Sequence, residues 1–407
     1  MVCMGMDMYD GNNDTNIVDE IFDRVITSKP LIRDRDVLRS DYIPDRLLFR
    51  DNEIRAVAES LSPLLKGSRA SNLLLYGKPG TGKTAVAKYV LKRLQDKARS
   101  LNLNIVLAYS NVKNAKREYT VLVQLGEAIG LRFPFTGLAS SEIFSRIVNH
   151  IDDKGMDTVL VLDEIDFLVK KHGDEILYQM TRANEYLQKG SLGLVGISND
   201  LNFKELLDPR VLSSLSEEEV LFSPYTVDEL KNILLERARL GFYDGCITPS
   251  AINLCAAIAG SEHGDARRAL DLLRVAGEVA EREGVDKVDE RHVRIAEKRI
   301  EQDKVSETLR KLPLHEKLVI LAVMLSDKGS TGSIYDTYME LNKRLGVQPV
   351  TQRRVGMIIS ELDMQGILYA PIVNQGRYGR TKRISLAVQA SLVKEVLSED
   401  PMLSILL

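Results

Sequence analysis

The chain has 407 residues, 44% of them hydrophobic and 28% charged, with a formal net charge of −3. That length predicts two or three domains with real cores, and the near balance of charge excludes a globally basic surface, so any contact with a polyanion must be local. Cys3, Cys246 and Cys255 have neither metal-ligand nor disulfide-framework spacing, which fits a reducing cytoplasm, and no apolar run reaches membrane-spanning length.

Met1–Thr15 is rich in Asp, Asn, Gly and Met without periodicity, lacks a signal-peptide core, and is expected to be disordered. From about Ser71 to Pro224, apolar runs alternate with helical patterns: Asn72–Tyr76, Asn104–Tyr109, Thr158–Leu162, Leu192–Ser198 and Glu219–Phe222. Such alternation predicts an α/β domain with a parallel sheet and helices on both faces.

The first run leads into Gly77-Lys78-Pro79-Gly80-Thr81-Gly82-Lys83-Thr84 and then a helical stretch from Ala85. This is the phosphate-loop pattern G-x-x-x-x-G-K-[ST] in its strand-to-helix setting. The glycines let backbone N–H groups converge on phosphate oxygens, and the helix start adds partial positive charge. Lys83 is the candidate for the β- and γ-phosphates of ATP, and the Thr84 hydroxyl for Mg²⁺.

Thr158–Leu162 runs into Asp163 and Glu164, a buried strand ending in carboxylates. Asp163 is positioned to hold Mg²⁺, usually through water, and Glu164 to polarise the attacking water. Asn199 follows a further strand and either contacts the γ-phosphate or closes a loop. Arg210 is either an arginine finger reaching a neighbouring subunit's nucleotide, worth ~10³–10⁵ in rate, or an ordinary surface residue.

From Thr226 to about Arg299 the pattern is helical only, with starts at the Thr226/Glu229 capping box, Pro249, Gly264-Asp265 and Val288-Asp289. Ala266, Ala269, Leu270 and Leu273 form one helix face. Arg267 lies at its border, able to reach an interdomain cleft, while Arg268 lies opposite and is expected on the solvated surface.

The pattern changes again near Val305. Helices are predicted at Pro313–Leu325, Ser333–Leu345 and Thr351–Gln365, then strands at Ile367–Val373 and Thr381–Leu386, the winged-helix order. Thr351, Gln352, Arg353 and Arg354 open the third helix, and Arg377, Tyr378, Arg380, Lys382 and Arg383 populate the wing. These suit base-edge and phosphate contacts with duplex DNA, or else a solvated helix end and a charged edge hairpin.

Together these residues resemble the AAA+ ATPases, and more narrowly the archaeal-type replication initiators of the origin recognition complex and cell division control family. The resemblance covers the chain from about residue 20 to the end. Three segments carry the narrower likeness: Asp41–Ile54 ahead of the phosphate loop, Leu207–Leu215 around Arg210, and Phe222–Leu230 entering the helical domain. Leu212 stands where the family often has a lysine two residues after the finger.

The resemblance implies an AAA+ α/β domain over 16–225, a helical lid over 226–304 and a winged-helix domain over 305–407. It implies an adenine site near Ile43, Pro44, Arg46 and Arg50, further nucleotide contacts at Ala85, Tyr225 and Ile233, and Arg267 as a second sensor of the γ-phosphate. Asn111–Phe135 occupies the place of a DNA-contacting insertion, with Lys113 and Lys116 as its candidate contacts. The implied activity is weak Mg²⁺-dependent ATP hydrolysis that switches origin binding and helicase loading. The implied partners are origin DNA, other initiator subunits and the replicative helicase, in the cytoplasm at the nucleoid and with no membrane. A clamp- or helicase-loading motor without sequence preference, or a non-replicative signalling ATPase, uses the same ATP motifs.

Overall fold

The computed structural model describes Asp19, Phe22 and residues 29–134, 137–326, 329–374 and 380–407. The stretch Met1–Thr15, and Arg377 and Tyr378 of the wing, lie outside the described residues. The chain divides into two compact units, one ending at Val293 and the other beginning at Arg294.

In the first unit, strands β1 (Leu73–Gly77), β2 (Ile105–Asn111), β3 (Asp157–Asp163), β4 (Ser191–Ser198) and β5 (Glu218–Phe222) form one sheet in the order β2-β3-β4-β1-β5. Every pairing is parallel, and each strand coincides with an expected apolar run to within two residues at either end.

The run of apolar residues in β3 is needed because both of its faces are covered. Leu160 and Leu162 point into one core with Leu192 and Leu194, while Val159 and Val161 point into another with Val195 and Ile197. Helices α1 (Asp51–Leu61) and α2 (Lys83–Ser100) cover the valine side. The leucine side is covered by α3 (Val112–Ala115), α4 (Glu118–Ala128), α5 (Ser140–Lys154), α6 (Ile165–His172), α7 (Glu175–Thr181) and α8 (Pro209–Leu215).

Three lid helices follow: α9 (Val227–Gly241), α10 (Pro249–Ser261) and α11 (Ala266–Glu283). Their starts are the expected ones. Thr226 and Glu229 make both halves of a capping box, Thr248 caps α10 ahead of Pro249, and Asp265 accepts the Arg267 and Arg268 amides. Helix α12 (Glu290–Lys311) then runs past both the unit boundary and residue 304, so no loop marks where the composition changes.

The second unit packs α13 (Leu314–Leu325), α14 (Thr331–Leu345), α15 (Gln352–Met364) and α16 (Ala390–Ser398) around Leu318, Tyr338, Val355, Ile359 and Val393. The sequence reading did not anticipate α16. The two long wing strands are each broken. In their place are β6 (Leu368–Tyr369) paired with β9 (Ser385–Leu386), and β7 (Ile372–Asn374) paired with β8 (Arg380–Lys382). Pro371 offers no N–H to a ladder. Beside it the Ala370 amide donates to Asp363 at 3.0 Å, and across from it the Ile384 amide donates to the Gly329 carbonyl at 2.7 Å.

Candidate nucleotide site and DNA-facing residues

Parallel α/β sheets place ligands at the carboxyl ends of their strands. Here a cleft of about 490 Å³ opens at the ends of β1 and β3, under the lid. It gathers Ile43, Pro44 and Arg46, then Gly80, Gly82, Thr84 and Ala85, then Asp163 and Glu164, and from the lid side Tyr225, Ile233 and Arg267. Residues from five separate sequence segments thus meet in one cavity of small-molecule size.

The glycines of the loop are sterically required. Gly82 has φ 93°, and a Cβ on Gly80 would lie 1.8 Å from Asp265 Oδ1. The loop therefore touches the lid directly, and the Ala266 amide donates to the Gly80 carbonyl at 3.2 Å. Gly77, Lys78, Pro79 and Thr81 complete the loop without lining the cleft, and Thr81 Oγ1 donates to the Lys78 carbonyl. Lys83 is buried, its Nζ donating to the carbonyls of Gly77 and Lys78, both at 2.7 Å. Burial, with the positive charge of Arg267 added, brings this amine down to about 8, against the pull of Asp163, Asp166 and Asp265.

The donor set suits Mg²⁺, a hard cation that takes few protein oxygens and keeps the rest of its shell for phosphate and water. Thr84 Oγ1 lies 2.9 Å from Asp163 Oδ2. Tyr109, which sequence reasoning missed, donates its hydroxyl to the same oxygen at 2.7 Å. Burial and then the Asp163 carboxylate push the Tyr109 hydroxyl upward, so it stays a donor. The clue lay in strand register. Asn111 is opposite Asp163 across β2 and β3, so Tyr109, two residues earlier, shares that face.

Glu164 adopts a left-handed backbone (φ 58°), uncommon for a residue with a Cβ, and its amide donates to Asp163 Oδ1. Its carboxylate lies 3.5 Å from Lys113 Nζ. Asn199 sits at the end of β4, its amide donating to Asp166 Oδ1, and it is not among the cleft-lining residues. Arg210 also lies outside the cleft. It is exposed and chelated by Asp208, with Nε 3.0 Å and Nη2 3.2 Å from the two carboxylate oxygens, and this pairing raises its proton affinity further.

The segment ahead of α1 is fastened to the lid. The amides of Leu31 and Ile32 donate to Glu281, and those of Arg33 and Asp34 to the Gly241 carbonyl. From α9, buried Arg237 donates to the carbonyls of Val37 and Tyr42 and stacks 4.7 Å from the Tyr42 ring centre. Arg50 does not line the cleft as expected of a nucleotide ligand. It is 4% exposed and points beneath the loop, toward Thr81, Ser223 and Tyr225.

Arg267 is exposed on the cleft, as its helix position predicted. The expectation for Arg268 is corrected. It is 7% exposed and ion-paired with Glu262 at 3.0 Å, because its side of α11 is buried too, as Leu272 and Val275, four and seven residues further on, show.

The candidate DNA contacts divide by unit. In the first, Lys113 faces Glu164, and Lys116 is exposed with φ 63°. In the second, Thr351 caps α15 through the Arg354 amide, and Gln352, Arg353 and Arg354 are exposed. Arg354 reaches back to Glu361 at 3.0 Å. Lys382 donates to Ser360 Oγ at 2.7 Å, Arg383 is exposed, and Arg380 pairs by backbone with Asn374.

Three family models match the chain: an AAA domain over 66–201, a Cdc6 AAA+ ATPase-type lid domain over 231–298, and a CDC6 C-terminal winged-helix domain over 307–396. The ORC1-type DNA replication protein of Cenarchaeum symbiosum is 50% identical, the alignment covering 98% of this chain and 99% of that one. The chain belongs to the ORC1/Cdc6 family of replication initiators. Within this AAA+ family, the solved structure of Aeropyrum pernix ORC1 in complex with DNA is 48% identical, with a TM-score of 0.83, covering 93% of this chain and 99% of that one. The ADP form of Aeropyrum pernix ORC2 is 25% identical, with a TM-score of 0.59, covering 92% of this chain and 99% of that one. Among the described residues, no helix is long and apolar enough to cross a membrane.

Proposed function

We propose that this ORC1/Cdc6-family chain binds duplex DNA at replication origins and helps load the replicative helicase, switched by ATP binding and slow hydrolysis. The observation that carries the reading is the meeting, in one cleft, of the phosphate loop, the Thr84–Asp163 pair and Arg267 from the lid, in a chain that also bears a winged helix.

In the proposed cycle, Lys83 exchanges the carbonyls of Gly77 and Lys78 for β- and γ-phosphate oxygens, whose negative charge favours its protonated form. Thr84 and, through water, Asp163 hold Mg²⁺, which when bound neutralises phosphate charge. Glu164 polarises a water for attack on the γ-phosphorus, and ADP leaves with the electron pair of the bridging oxygen. Arg267 brings the lid onto the triphosphate. A neighbouring initiator subunit receives Arg210 once that side chain leaves Asp208. Thr351, Gln352, Arg353 and Arg354 read the duplex, and Arg380, Lys382 and Arg383, with Arg377 and Tyr378, hold its phosphates. Lys113 and Lys116 add contacts from the first unit. The site of action is the nucleoid, in the cytoplasm.

Footprinting on chromosomal DNA with ATP and Mg²⁺ tests this reading. Discrete protected sites, together with retention of the helicase on them, are the expected result. Protection spread evenly over all sequences would replace the origin reading with that of a loader lacking sequence preference.

A further inference from the structure

The chain passes between sheet domain and lid at two places. One is the segment from Ile43 to Arg50, which leaves the lid-bound stretch 31–42 and enters α1. The other is Ser223–Tyr225, which leaves β5 and enters α9. One buried side chain touches both crossings and the phosphate loop. Arg50 Nε donates to the Thr81 carbonyl at 3.0 Å, and Nη2 donates to the Ser223 carbonyl at 2.7 Å. Nη1 donates to the Phe49 carbonyl at 3.2 Å and to Glu53 at 3.1 Å. The guanidinium lies 3.8 Å from the centre of the Tyr225 ring.

A buried cation needs such partners, and Glu53 together with the ring face offsets its desolvation. The bond to Thr81 has a consequence for the loop. A trans peptide sets its C=O and the next N–H in opposite directions. Holding the Thr81 carbonyl down toward Arg50 therefore turns the Gly82 amide the other way, toward the cleft that Gly82 lines. The room for this is tight, since a Cβ on Gly82 would come within 2.8 Å of Tyr225 Oη. The same cation thus orients a phosphate-facing peptide and grips the carbonyl and ring of the hinge.

We infer that Arg50 is a positioning residue that transmits occupancy of the phosphate loop to the angle of the lid, through Thr81 on one side and Ser223 and Tyr225 on the other. It acts without touching nucleotide. This rests on the nucleotide-switched reading above and names the part that does the switching.

The test uses full-length protein with Cys3→Ser and spin labels at Lys92→Cys on α2 and Asn253→Cys on α10, both exposed, while buried Cys246 and Cys255 stay unlabelled. Pulsed dipolar spectroscopy then reports the distance between sheet domain and lid with and without AMP-PNP and Mg²⁺. In the otherwise native background, nucleotide is expected to shift the distribution. Arg50→Lys, which keeps the charge but loses the fork, is expected to bind AMP-PNP within about threefold of that background, the small effect of a residue that is no ligand. Its distribution is expected to stay at the nucleotide-free position, and its kcat to fall by about a hundredfold from misplacement of Arg267. Glu53→Gln leaves Arg50 in place without its carboxylate and is expected to broaden the bound distribution, which keeps the inference testable should Arg50→Lys fold poorly.

An Arg50→Lys or Glu53→Gln distribution that shifts as the background does overturns the inference. So does loss of AMP-PNP affinity by well-folded Arg50→Lys, which would make Arg50 a ligand. Absence of a shift in the background itself overturns the nucleotide-switched reading and the inference with it.

Discussion

Around the nucleotide cleft several cations are buried and tied, Lys83 to two carbonyls, Arg50 beneath the loop to Thr81 and the hinge, and Arg237 to the stretch 31–42, while Arg267 is exposed. On the winged helix they are exposed: Arg353 and Arg354 stand at an open helix start, and Arg383 on an open hairpin. A buried charge is tolerated only where geometry serves it, so its position already argues for a task. An exposed charge is at home in water and argues for nothing until a polyanion arrives. The contrast explains why the cleft can be read atom by atom while the DNA surface is read by fold and sign of charge.

The sharpest way to break that contrast lies in the cleft. Glu164→Gln keeps shape but removes the base, and hydrolysis is expected to fall by about 10²–10⁴-fold with ATP affinity preserved, as single-turnover assays with separate binding titrations would reveal. If affinity fell instead, Glu164 would be holding the loop rather than the water.

Neighbouring arginines give the next test, since one is buried and the other is not. Arg268→Ala removes a buried side chain and its ion pair and is expected to cost about 1–2 kcal/mol in urea unfolding, since the carboxylate left behind on Glu262 is exposed to water. Arg267→Ala is expected to leave stability within about 0.5 kcal/mol while slowing hydrolysis. Equal stability losses would mean that the difference in burial carries no energetic weight.

Tyr109→Phe deletes one hydroxyl beside the Thr84–Asp163 pair. The Mg²⁺ concentration needed for half-maximal nucleotide affinity should rise about tenfold, the worth of one hydrogen bond to a charged group, with affinity in EDTA unchanged. A parallel loss with and without metal would make the hydroxyl merely structural. The smallest effect is expected at the exposed surface. Lys382→Ala and Arg383→Ala should each lower the slope of log affinity against log salt by ~0.9, measured by anisotropy on duplex DNA. Unchanged slopes would return both residues to the solvated surface.

The sheet was legible because buried parallel strands must be apolar on both faces, as Val159–Leu162 shows. The loop, the Asp163–Glu164 pair and Arg267 were legible because their chemistry fixes residue type and spacing. Arg50 was misplaced and Tyr109 and Arg237 were not singled out, since their roles depend on cross-strand register and on which carbonyls a fold brings within reach. Arg268 was misread because α11 buries a second side, the one that also carries Leu272 and Val275. The wing strands were drawn too long because the rival acceptors, Asp363 on the preceding helix and the far-off Gly329 carbonyl, belong to tertiary packing that a period-two pattern does not carry.

The claim that nucleotide in the cleft governs the grip on DNA is tested most directly by anisotropy titration of one labelled duplex with wild-type and Lys83→Ala protein, each with ATP, with ADP and without nucleotide. Wild-type affinity is expected to differ between the three conditions, while Lys83→Ala, unable to hold the triphosphate, gives one curve in all of them. A wild-type curve indifferent to nucleotide, or a Lys83→Ala protein that still follows it, would contradict the account.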